Sequence, residues 1–185
     1  MKRVLVSTVL GSVAVLGMIT AAGAASVTST PTGGKIELWV TPGATQGNGT
    51  VVITGAIGDY GKSTGKRNEN GTPDPNGNYG IVELQKGAIE VDLANIGKAI
   101  NNAAPIVNST TTCSFVVTAT APATLLNGTG AYKGISGTVE LTETFAAILP
   151  RISTGKDKGQ CNETNSATPV AQWGSVTGSG TVSYR

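Results

Sequence analysis

From position 35 onward, apolar residues fall at every second position, in short runs separated by clusters of Gly, Asn, Asp and Pro. That period belongs to half-buried β-strands. Ile36, Leu38 and Val40 alternate with Glu37 and Trp39, and the β-branched run 51–57 is bounded by Gly49 and Gly58, so each predicts a strand. Residues 61–78 have almost no apolar content and dense turn residues, which predicts a long solvated loop. Residues 81–84 and 88–93 flank Gln85-Lys86-Gly87 at hairpin spacing, with Ile89, Val91 and Leu93 facing one way and Glu90 and Asp92 the other. The period then changes. Leu93, Ile96 and Ile100 fall three and four apart behind Asp92, a residue suited to capping a first turn, and predict one short helix over 92–103.

Strand character returns over 112–119, and Pro122 predicts a bend or an edge before 124–126. The longest strand candidate is 137–149. A polar loop at 150–169 holds Cys161, and a Gly-laced alternating strand closes the chain at 172–184. The pattern is that of an all-β domain of about eight strands with at most one short helix, most of them antiparallel to their sequence neighbours. A single eight-stranded antiparallel barrel is preferred to a sandwich because closure leaves no edge strand to protect.

The first residues change the domain picture. Met1-Lys2-Arg3 is a basic start, residues 4–22 are mainly apolar, and Ala22-Gly23-Ala24 supplies the small residues of a cleavage site. Residues 1–24 therefore read as a signal peptide, 25–34 as a flexible lead-in and 35–185 as the barrel domain. The expected location is secreted, extracellular or in the cell envelope, with no stable membrane span after cleavage. Removing Lys2 and Arg3 brings the 13 basic residues to 11, equal to the 11 acidic ones, so the mature domain is close to neutral. Without a basic stripe, and with only 4% aromatic residues, the chain does not read as a nucleic-acid binder. Five Asn-x-Ser/Thr triplets, beginning at Asn48, Asn70, Asn108, Asn127 and Asn162, follow from a composition rich in those residues.

The absence of histidine removes Ser-His-Asp and Cys-His nucleophile arrangements and His-ligated zinc. No cofactor and no metal is implied. Cys113 and Cys161 are the only cysteines, and in an exported chain they predict a disulfide. For a loop of that length the chain-entropy model gives about 4 kcal/mol of stabilisation.

The most distinctive segment is the glycine-rich turn at 128–138, in which Gly128, Gly130, Gly134 and Gly137 surround Tyr132 and lead into GTVELTETF. The glycines permit positive φ and close backbone approach, and Tyr132 supplies a large side chain to cover the exposed backbone. This segment resembles the turn and strand of the allene oxide cyclase and dirigent barrel family and of uncharacterised secreted bacterial proteins similar to it. The resemblance implies a calycin-like, eight-stranded antiparallel barrel around an apolar cavity. It also implies either chemistry on small reactive organic molecules or no activity. Only the Gly/Tyr turn carries over, as a marker of the fold.

Two carboxylates have the phase of inward residues. Glu143 shares parity with Val139, Leu141, Phe145 and Ala147, and Asp59 with Val51, Ile53 and Ile57. Facing one cavity, they would form an acid/base pair with a burial-raised pKa; a bulge or barrel rim would make them structural instead. Asp74, Asn76 and Asn78 imitate the start of a calcium loop, but Tyr79 and Gln85 stand where it needs Gly and Glu. Three functions follow: a secreted barrel that binds a small hydrophobic ligand or acts as an extracellular or envelope interaction module, without an identifiable catalytic motif; an isomerase or cyclase using Glu143 and Asp59; and a carbohydrate-binding or adhesive β-sandwich using Trp39, Tyr60, Tyr79 and Trp173. The first is the expectation, and it does not require an enzyme.

Overall fold

The computed structural model describes residues 32–41, 49–74, 76–164 and 166–185. The expected signal peptide and residues 25–31 of the lead-in lie outside the described residues. The strands are β1 (Thr32–Thr41), β2 (Gly49–Gly55), β3 (Asp59–Ser63), β4 (Tyr79–Leu84), β5 (Gly87–Asp92), β6 (Val107–Ser109), β7 (Ser114–Gly128), β8 (Ser136–Ile148) and β9 (Ala171–Tyr184), with α1 (Ala94–Asn102) between β5 and β6. Their order is β5-β4-β3-β2-β1-β9-β8-β7-β6, all antiparallel, and a further pairing of β5 with β7 closes eight strands into a barrel. β6 is a short appendage on β7. The fold is the expected closed barrel with one short helix, and not a sandwich.

Alternation decides what fills it. Ile36 and Leu38 of β1, Val51 and Ile53 of β2, and Val139 and Leu141 of β8 are all buried. Each such side chain contributes about 1.5–3 kcal/mol when removed from water. β9 alternates hydroxyl residues outside with Val and Gly inside. A Cβ at Gly178 would lie 2.6 Å from Leu141 Cδ2 and 3.2 Å from Leu38 Cγ, so the missing side chain is the space those leucines occupy.

One end of the barrel is closed by the Gly/Tyr turn. Gly130, at φ +58°, opens a single 3-10 turn that drives Tyr132 inward until 1% of it is exposed. Its hydroxyl donates to Asp59 Oδ2 at 2.5 Å, and its ring packs edge-on against Tyr184, with centroids 5.8 Å apart. Asp59 also accepts from the backbone amides of Tyr60 (2.8 Å) and Lys86 (3.1 Å). The β2–β3, β4–β5 and β7–β8 connections are thereby tied together.

Two expectations need correction, and a third resolves between its alternatives. Thr32–Gly34, assigned to the lead-in, belong to β1, because β9 extends far enough to pair them with Tyr184, Ser183 and Val182. Gly61–Ser63, assigned to the solvated loop, complete β3; its inward residues Asp59, Gly61 and Ser63 carry no hydrophobic signal. The rest of that loop folds on itself, with the Arg67 amide and carbonyl bonded to Tyr79 at 2.7 and 3.0 Å. Of the bend or edge expected at Pro122, the structure has the edge: β7 continues through it with β8 on one side and no strand pairing on the other. The Pro122 carbonyl accepts from Asn95 Nδ2 of α1 at 3.4 Å, and a strand residue directs its nitrogen and carbonyl to the same edge, so no bond to β8 is lost.

Cys113 and Cys161 form the expected disulfide, with Cα atoms 5.3 Å apart, well within disulfide geometry. It joins the turn before β7 to the β8–β9 loop, where Arg151 donates to the carbonyls of Thr111 and Gly159 at 2.5 Å each. Among the described residues no helix is long and apolar enough to cross a membrane.

Candidate functional site

Away from the Tyr132 end, the barrel interior opens into a cavity of about 210 Å³. Its deep walls are aliphatic, with Ile36, Val51, Ile89 and Val139 among them. None of its described lining residues is aromatic. The polar groups lie toward the far end, where Ser63, Thr64, Lys66 and Glu143 join Leu93, Ile96 and Gly97 of the α1 region.

Each reaches the site for a local reason. Glu143 follows Val139 and Leu141 on the inner face of β8, so its inward direction is set by the strand's period of two. α1 is started by Asp92, whose Oδ1 accepts the Ala94 amide at 2.9 Å, and it lays Ile96, 3% exposed, over the barrel mouth. Lys66 is positioned by the folded 64–78 segment, in which its carbonyl accepts the Asp74 amide at 2.9 Å. Its ammonium lies 4.0 Å from where a side chain would begin at Gly97, so the loop reaches across to α1.

The electrostatics separate the two predicted carboxylates. Burial beside aliphatic side chains raises the Glu143 pKa above its ordinary value, and the positive charge of Lys66 opposes that shift. No hydrogen bond from a described residue helps to hold its charge. Burial acts on Asp59 in the same direction, but the hydroxyl of Tyr132 and the amides of Tyr60 and Lys86 outweigh it and hold the carboxyl below its ordinary value. Tyr132 is pushed far upward by its own burial and by Asp59. Asp59 does not line the cavity, so it and Glu143 form no acid/base pair there. Asp59 serves the closed end.

The Gly128, Gly130, Tyr132, Gly134 and Gly137 turn is likewise structural. Gly134, at φ +74°, lets the chain leave the 3-10 turn and enter β8. Asp74 Oδ1 accepts the Asn76 amide at 2.8 Å, which makes that segment a turn. Of the four aromatic candidates, Trp39, Tyr60 and Trp173 are exposed by 43, 60 and 56%, while Tyr79 is half-buried on β4. Lys66, Ser63 and Thr64 were not expected at a site. The parity of Ser63 with Asp59 was a usable signal, whereas nothing in the local pattern points to Lys66. Comparison with protein-family models, curated proteins and solved structures returned no match to this chain.

Proposed function

We propose that the barrel binds a small, predominantly apolar molecule carrying one polar group. The apolar part lies among the aliphatic walls and the polar group meets Glu143 at the far end. The observation that carries this reading is the cavity itself. Protein interiors are packed with few voids larger than a water molecule, and empty apolar volume costs stability. A carboxyl accepts hydrogen bonds through both oxygens, so Glu143 suits a ligand that donates one, such as an alcohol or an amide. The disulfide suits an oxidising, extracellular or envelope setting. The closed barrel and its Gly/Tyr turn support the resemblance to the allene oxide cyclase and dirigent family.

The test is extraction of natively purified protein with organic solvent and mass spectrometry of what is released, together with uptake of Nile red. The expected result is a co-purifying apolar compound, and dye binding that Val176→Trp abolishes without changing the far-UV circular dichroism. Absence of both compound and dye binding refutes the proposal. The half-buried Glu143, with no hydrogen bond from a described residue, supports a second reading, an isomerase or cyclase acting on the same class of molecule. Turnover that is unaffected by Glu143→Gln would eliminate that reading alone.

A further inference from the structure

The outside of the barrel carries a feature independent of the cavity. On β7, β8 and β9, Thr118, Thr144 and Ser175 form one cross-strand row and Thr120, Thr142 and Thr177 the next. Thr118 and Thr144 bond through their hydroxyls at 3.0 Å, and Thr120 and Thr142 at 2.9 Å, so the pairs hold one another in place. Neighbouring side chains stand about 4.8 Å apart across the strands and about 6.7 Å apart along them. The second row continues through Trp39, Val52 and Tyr60, and the first is bordered by Val116, Ala146 and Trp173.

Trp39, Val52, Tyr60 and Trp173 are all exposed by more than 40%. Trp39 and Trp173 are the only tryptophans of the chain. Both lie outside, around a cavity whose described lining has no aromatic residue. Tryptophan is highly buried on average, so this distribution is the reverse of the ordinary one. Neither hydroxyl row contains a charge. Acidic residues begin in the adjacent row, with Glu37 and Glu140.

We infer that this face binds an uncharged polysaccharide, with sugar rings stacked on Trp39 and Trp173 and sugar hydroxyls bonded to the threonine rows. Nucleic acid and acidic glycans require cations, which the rows lack. Exposed Ile148 and Val170 extend the apolar border beyond Trp173, but the hydroxyl rows separate that border from Trp39. The continuous apolar patch that a lipid surface or an apolar protein partner requires therefore does not span both indoles. A threonine hydroxyl both donates and accepts, as a sugar hydroxyl does. The indole faces match the apolar C–H faces of sugar rings. Trp39 stands opposite Thr177, four residues along β9 from Trp173, which separates the two indoles by about 13 Å along the strand and favours a chain of sugars over a single one.

The experiment is retention of purified protein on insoluble cellulose, chitin, xylan and β-glucan, with tryptophan emission followed during titration by the matching soluble oligosaccharides. The expected result is retention on at least one of these polymers and a shift in emission. Trp39→Ala and Trp173→Ala should each weaken binding about tenfold, and their combination should abolish it while the far-UV spectrum and thermal midpoint are kept. Thr142→Val, of nearly the same shape, is expected to weaken binding by a smaller factor. Failure of the wild type to bind any of the four polymers overturns the inference, as does undiminished retention of the double variant. A wild-type dimer dispersed by the double substitution overturns it too, and assigns the face to a second copy of this chain. Nile red uptake reads the cavity separately, so the two readings fail independently.

Discussion

At its closed end the barrel buries a carboxylate with every need met; toward its open end it half-buries another that receives no hydrogen bond from a described residue. Asp59 and Glu143 both sit at inward positions and both lose hydration, yet one receives three hydrogen bonds and the other only the distant charge of Lys66. Burial alone therefore does not fix the character of an acid in this interior. The donors do, and they separate a structural fastening from a group left free to meet a ligand.

Replacing Asp59 should expose the largest contrast. Asp59→Ala strands the buried Tyr132 hydroxyl and two backbone amides, and about 3 kcal/mol of stability should be lost in urea unfolding. Tyr132→Phe removes one donor and leaves the amides paired, so a smaller loss of about 1.5 kcal/mol is expected by the same measurement.

The pH dependence of stability should then have opposite signs at the two ends. Asp59 has a folded pKa below its ordinary 3.8, so its contribution is complete above that value and is lost as pH falls through the lower folded one. Glu143 has a folded pKa above its ordinary 4.5, so its contribution is present below that value and is lost as pH rises through the raised one. Thermal unfolding across acid to neutral pH is expected to show Asp59→Asn flattening the acid limb. The smallest effect belongs to Glu143→Gln, which should raise the neutral-pH midpoint by about a degree or two and leave the acid midpoint unchanged. An equal response of the two variants at every pH would erase the distinction between the ends.

How much of this was legible followed the physics of each segment. β8 and β9 were visible because their inner and outer residues differ in kind at every second position. α1 was visible through the spacing of Leu93, Ile96 and Ile100. β3 was not, since pairing with β2 and β4 makes it a strand although none of its inward residues is apolar. The phase of Glu143 was readable by parity, as was that of Asp59. The partner of Asp59 is 73 residues away in the chain, and only the folded turn brings Tyr132 beneath it. Lys66 reaches the mouth through backbone bonds of its loop, which leave no mark on side-chain pattern.

The seam that seals the barrel also sets a timetable. β9 lies between β1 and β8, so Thr32 pairs with Tyr184 and the first described strand waits for the last. Such distant pairings carry a loop-closure cost and make for slow folding, on the scale of milliseconds to seconds. During synthesis β1 and β8 each keep a bare edge until β9 has emerged from the ribosome. A chain that cannot close early is exposed to edge-to-edge association until its last strand is made.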